Sequence, residues 1–163
     1  MKSKSICTTI LSLFILSSCQ TKFKNMNNQN TDSLYPKGEQ LSKEWFSGNA
    51  FLKPLVAKDH NNEFSAGSVT FEAGARTHWH THPKGQVLLV TEGNGFYQER
   101  NKKAQPIAKG DVINIPENVE HWHGATATTK MVHIAITNFK EDSQVTWLEA
   151  VSDEEYQLVN NQN

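Results

Sequence analysis

Apolar positions fall into three regimes along the chain. Behind Lys2 and Lys4, the segment Ile10 to Leu16 is almost wholly apolar and ends in small residues. Gln20 to about Gly38, QTKFKNMNNQNTDSLYPKG, sustains no apolar period and is dominated by Asn, Gln, Ser and Lys, so it reads as a solvated tether. From Leu52 onward, short alternating or apolar runs recur: FLKPLVA, FSAGSVTF, RTHWHTH, QVLLVTE, GFYQER, QPIA, DVINIP, HWHG, KMVHIAIT and QVTWLEAV. Turn residues separate them, among them Asn61-Asn62, Glu92-Gly93-Asn94-Gly95, Lys109-Gly110-Asp111 and Pro116-Glu117-Asn118. Runs of that length and period predict about nine strands and an all-β domain. Between the tether and these strands, Glu39 to Phe51 fits either a helical turn or an edge strand. At the other end, Ser152 with Glu155 three residues later fits a short capped helix, and a frayed tail fits equally well.

The 163 residues suit one domain with its own core. The basic start and apolar run read as a secretory signal, since a bilayer span needs about 20 apolar residues. The run ends Leu16-Ser17-Ser18-Cys19, which resembles the lipobox of bacterial lipoproteins. That resemblance implies cleavage before Cys19 and a lipid on its sulfur. The expected organisation is a signal over 1–18, a tether over 19–43, a β domain over 44–150 and a tail or helix over 151–163. Export with anchoring to a membrane follows, facing the periplasm or cell exterior. Cys7 leaves with the signal and Cys19 is consumed by lipid, so the mature domain has no disulfide. Losing Lys2 and Lys4 makes the formal charge of −1 two units more negative. A mildly acidic chain without a basic stripe excludes nucleic acid as a partner.

Candidate chemistry is concentrated in histidine. Six of the seven histidines lie between His78 and His133, and His78, His80 and His82 alternate at strand period, which points them to one face. A His-x-His pair on a strand can present two nitrogens to one metal ion. His123 shares a face with His121 by the same alternation, and Trp79 and Trp122 have the opposite parity, suited to packing against flanking structure or a second subunit. Arg76 is expected in a surface salt bridge with Glu72. His133 lies in MVHIAIT with Ala135 and Thr137 on its face, and both a structural and a catalytic reading stay open. Phosphate loops, nucleophile elbows and dinucleotide fingerprints are absent from the sequence.

The spacing Gly74-x5-His80-x-His82-x3-Gln86-x6-Gly93 resembles the first cupin motif, and Gly110-x5-Pro116-x4-His121 resembles the second. The resemblance implies a cupin double-stranded β-helix, or jelly-roll barrel, with a metal inside. Gln86 stands where most cupins have a glutamate, and Asn118 and Ala125 replace a usual glycine and asparagine. Within that superfamily, GARTHWHTHPKGQVLLVTEGNGFYQ, GDVINIPENVEHWHGA and KMVHIAI resemble the manganese-dependent hydroxynitrile lyases, which cleave or form cyanohydrins. Carried over, the metal ligands are His80, His82, Gln86 and His121, the catalytic residue is His133, and the metal is Mn, with Fe, Ni, Co or Zn as alternatives. Thr137 departs from the glutamine those lyases carry four residues after that histidine.

A site of three imidazoles and one carboxamide is neutral and leaves a divalent charge free to act on a bound oxygen. That favours Lewis-acid chemistry on a small-molecule substrate over oxygen activation. A cupin isomerase, lyase or dioxygenase acting on another small molecule, such as a sugar-acid breakdown product, is the alternative enzyme. A non-catalytic metal- or ligand-binding lipoprotein is the alternative without catalysis, and a homo-oligomer is compatible with all three.

Overall fold

The computed structural model describes residues 33–161. The expected signal, Cys19 and the tether as far as residue 32 lie outside the described residues. Twelve strands and one helix follow in chain order. They are β1 (Glu39–Gln40), β2 (Phe46–Ser47), β3 (Ala50–Val56), β4 (Phe64–Phe71), β5 (Arg76–Thr77) and β6 (His80–Thr81). Next come β7 (Gln86–Glu99), β8 (Gln105–Ala108), β9 (Val112–Ile115), β10 (His121–Ala125), β11 (Met131–Asn138), β12 (Thr146–Trp147) and α1 (Asp153–Asn161).

Every pairing is antiparallel, in the order β1-β3-β4-β11-β7-β10-β5-β2, with β8 and β9 also on β7, and with β6 joining β10 to β12. This is the all-β, curled double-sheet architecture expected. The 14-residue β7 joins its two walls, pairing with β9 and β11 through its first half and with β8 and β10 through its second.

The sequence reading divides β7 into two strands with a turn at Glu92-Gly93-Asn94-Gly95; the structure has one continuous strand there. The glycines serve close approach instead. Gly93 has φ 70°, and a Cβ on it would lie 1.9 Å from the Lys130 carbonyl oxygen, while one on Gly95 would lie 2.1 Å from the Gly124 oxygen. Beside Gly93 the β7–β11 register shifts between Val132 and His133, so a bulge stands where the turn is expected. Glu39 to Phe51 resolves into two short strands and the start of β3. The ordered sheet therefore begins inside the 19–43 span expected as tether.

Inward positions of both walls form the main core, with Phe71, Leu88, Ile113, Ile115 and Met131 buried together. A second cluster lies where α1 packs, joining Trp79, Phe96 and Trp122 to Val151, Tyr156 and Val159. The helix carries the anticipated capping box: the Ser152 amide donates to Glu155 Oε2 at 2.8 Å and the Glu155 amide to Ser152 Oγ at 3.1 Å. With 3% and 0% of their surface exposed, Trp79 and Trp122 are spent on this intramolecular packing.

The Arg76–Glu72 surface pair is not formed. Arg76 is buried, donates to the Val151 carbonyl and to Asp153 Oδ1, and lies 4.4 Å above the Tyr156 ring. Glu72 pairs with Lys37 instead. Strand parity put Arg76 on a face, but the face it occupies is the one that α1 covers.

Candidate metal centre

Two short strands and the residue just after one of them bring the imidazoles together. His80 opens β6 and is directly opposite His121, the first residue of β10, while His82 follows two residues after His80. Ring centroids are 4.1 Å apart for His80 and His121, 5.0 Å for His80 and His82, and 5.5 Å for His82 and His121. One nitrogen from each lies within 4.8 Å of the others, an arrangement that can hold a metal ion. The turn between β9 and β10 supports it. Asn118 adopts φ 59° in the place of the usual glycine, which asparagine tolerates, and its amide donates to the His82 carbonyl at 2.8 Å.

Backbone carbonyls orient all three rings. His80 Nδ1 contacts the His78 oxygen at 2.9 Å, His121 Nδ1 the Val119 oxygen at 2.9 Å, and His82 Nδ1 the Gln144 oxygen at 2.5 Å. A carbonyl only accepts, so each Nδ1 carries the proton and each Nε2 presents a lone pair. Nε2 of His82 and of His121 is buried with no partner in the protein, and so is Gln86 Oε1. Gln86 begins β7 and donates through Nε2 to Thr137 Oγ1 at 2.8 Å. Unpartnered acceptors in a dry setting cost stability unless a cation meets them, so the donor set fits a divalent ion.

Electrostatics point the same way. Burial pushes the pKa of His80 well below the ordinary histidine value, with the neighbouring His121 and His82 adding to it. Burial likewise lowers His82, and lowers His121 to about 4. The imidazoles are therefore neutral at pH 7, the state that ligates metal.

His78 does not join the cluster. The strand breaks after Thr77, and the His78 ring turns to Trp45 at 6.5 Å, so its contribution is the carbonyl that anchors His80. His123 and His133 form a second buried pair, with rings 4.9 Å apart. His133 stacks on Phe71 at 5.6 Å, its own ring nitrogens have no partner, and burial lowers its pKa to about 4. Burial drives the pKa of His123 well down too, helped by His133 and His80.

A cavity of about 300 Å³ opens beside the cluster; His123 lines it, whereas His121 and the fully buried His133 do not. Its polar wall includes His80, His82, Gln86, His123 and Thr137, and Leu52, Val69, Phe71 and Ala135 supply apolar wall. None of the residues lining it is charged. Two further segments add aromatic and apolar wall. Trp45 and Phe46 come from the N-terminal side, Val145 from the approach to β12 and Trp147 from β12 itself, with Trp45 stacked on Trp147 at 5.5 Å and Trp147 against His80 at 4.8 Å. Sequence reasoning missed Gln144, Trp45 and Trp147 as site residues. A carbonyl that could belong to any residue type leaves no signal, and the tryptophans stand in segments too short for a periodicity to orient.

Comparison with known proteins agrees with the fold. The cupin domain family matches residues 67–137. Over 113 residues the chain is 43% identical to the (R)-mandelonitrile lyase of Granulicella tundricola, covering 69% of this chain and 86% of that protein. The chain belongs to the cupin family. A cupin-like protein of Thermotoga maritima is similar across 81% of this chain and 100% of its own, at 45% identity and a TM-score of 0.77. A predicted oxalate decarboxylase of the same organism shares only the fold, at 19% identity and a TM-score of 0.56 over 68% of this chain and 91% of that one. This cupin thus combines a three-histidine cluster able to hold a metal with close likeness to a protein named as a lyase.

Proposed function

We propose that this cupin is a metal-dependent carbon–carbon lyase of the hydroxynitrile lyase type, cleaving or forming cyanohydrins. The observation that carries this reading is an uncharged cavity of about 300 Å³, at the small end for ligand sites, bordering a cluster of neutral imidazoles and one carboxamide. His80, His82, Gln86 and His121 would hold the ion, manganese by likeness to such lyases, and it would supply Lewis acidity toward the substrate oxygen. The chain's own residues do the rest. His133, neutral because it is buried and packed behind the wall residues Phe71 and His123, takes the proton of the cyanohydrin hydroxyl as the bond to the nitrile carbon breaks, which requires the substrate oxygen to reach past those two rings. The electron pair of that bond leaves with cyanide, and return of the proton from His133 yields hydrogen cyanide and an aldehyde or ketone. The apolar wall around Phe71 and the paired tryptophans keep bulk water from the reacting carbon.

The same cavity weighs against a sugar-acid substrate, whose carboxylate would call for Arg or Lys in the wall. Metal analysis of the purified protein, coupled to mandelonitrile cleavage with and without the metal, tests the proposal. Metal-dependent release of benzaldehyde and cyanide is expected. Absence of cleavage by fully metallated protein overturns it.

A further inference from the structure

Gln86 is the weak member of the donor set, because a carboxamide has two ends of nearly equal shape and only the oxygen attracts a cation. Turned the other way, its NH2 would face the Nε2 lone pairs of His82 and His121 and donate to them, which closes the site against a metal. In the structure Nε2 donates to Thr137 Oγ1 at 2.8 Å, and Oε1 is left free, buried and unpartnered. Thr137 reaches this position because β11 pairs with β7 in a register that sets Thr137 opposite Gln86. Both residues are buried, and the Thr137 hydroxyl is the partner the structure gives the amide nitrogen.

We infer that Thr137 is a positioning residue that holds the Gln86 amide with its oxygen toward the three imidazoles, and so sets how tightly the site takes a divalent ion. The inference rests on reading the site as a metal centre. It also accounts for a polar side chain at the cavity end of β11 without assigning it to the substrate. The hydroxyl can also donate to the oxygen of a turned amide, but when Oε1 faces the ion it is the acceptor for the NH2 group, and its removal leaves that group without this partner in the metal-bound state. Losing such an outer partner of a ligand typically weakens metal affinity 10–100-fold.

Mn(II) affinity of the full chain, measured by equilibrium dialysis against a competing chelator, tests this in four proteins. Thr137→Val, nearly isosteric, and Thr137→Ala, which relieves any crowding by the valine methyl, are both expected to weaken binding at least ~10-fold. Thr137→Ser keeps the hydroxyl and is expected to stay within about threefold of the unaltered protein, a rescue that a packing role for the methyl would not produce. Equal affinity in all four proteins overturns the inference, as does a loss in Thr137→Ser as large as in Thr137→Val. Failure of the unaltered protein to bind Mn(II) at all would instead remove the metal reading on which the inference stands.

Discussion

A histidine with no exposed surface and a pKa depressed by burial is costly to keep, since a packing role would be served more cheaply by an apolar side chain. His133 is such a residue, and its replacement separates the two readings that its sequence position allowed. His133→Ala is expected to lower mandelonitrile cleavage at least ~100-fold while metal content stays unchanged. A loss of less than about tenfold, well under what removal of a general base costs, would take His133 out of the proton-transfer role. Arg76 teaches the converse lesson at the same scale. It had the composition of a surface partner for Glu72, yet Tyr156 and Asp153, from a helix far along the chain, draw it into a buried cradle.

At the scale of elements, β7 governs the site because it carries Gln86 at one end and joins the two walls of the barrel. Its bend depends on Gly93, whose positive φ and contact with Lys130 leave no room for a side chain. Gly93→Ala is expected to destabilise the protein by roughly 2–4 kcal/mol, from left-handed strain plus displacement of the Lys130 backbone. Urea unfolding should show a lower midpoint with an unchanged slope, and a shift equivalent to less than about 0.5 kcal/mol would contradict this account. The helix, which the sequence left level with a frayed tail, was decided by packing. Ser152 and Glu155 state its start locally, and Tyr156 and Val159 then bury its face against Trp122.

For the whole molecule, the dominant electrostatic fact is a cluster of five buried imidazoles, His80, His82, His121, His123 and His133, all with lowered pKa values. Their folded-state values lie below the unfolded value of 6.5, so the unfolded chain binds more protons and stability falls as pH drops through 6.5 toward about 4. His133 alone accounts for a loss on the order of 3 kcal/mol across that window, a large fraction of typical domain stability. Metal-free protein should therefore show a melting temperature that declines steeply between pH 7 and pH 4.5, and bound metal should add stability at pH 7 that acid removes. A flat profile for the metal-free protein would mean the imidazoles are not held neutral by burial. By itself the sequence determined the strand-rich class and the spacing that gathers His80, His82 and His121, and it marked a helix from Ser152 as one of two readings of the tail. Those features depend on period and short-range spacing, which residue types record directly. Tertiary structure decided which carbonyls orient the imidazoles, that Thr137 meets Gln86, that Trp147 covers His80 and that Arg76 turns inward. These contacts join residues up to 77 positions apart, as for Arg76 and Asp153, or engage backbone atoms that every residue type shares. No local pattern encodes them; they are set by how β11, the segment before β12 and α1 return to the barrel. The three neighbouring histidines show the division at its closest: alternation put His78, His80 and His82 on one face, and the break after Thr77 kept two for the cluster and left His78 holding His80 through its carbonyl.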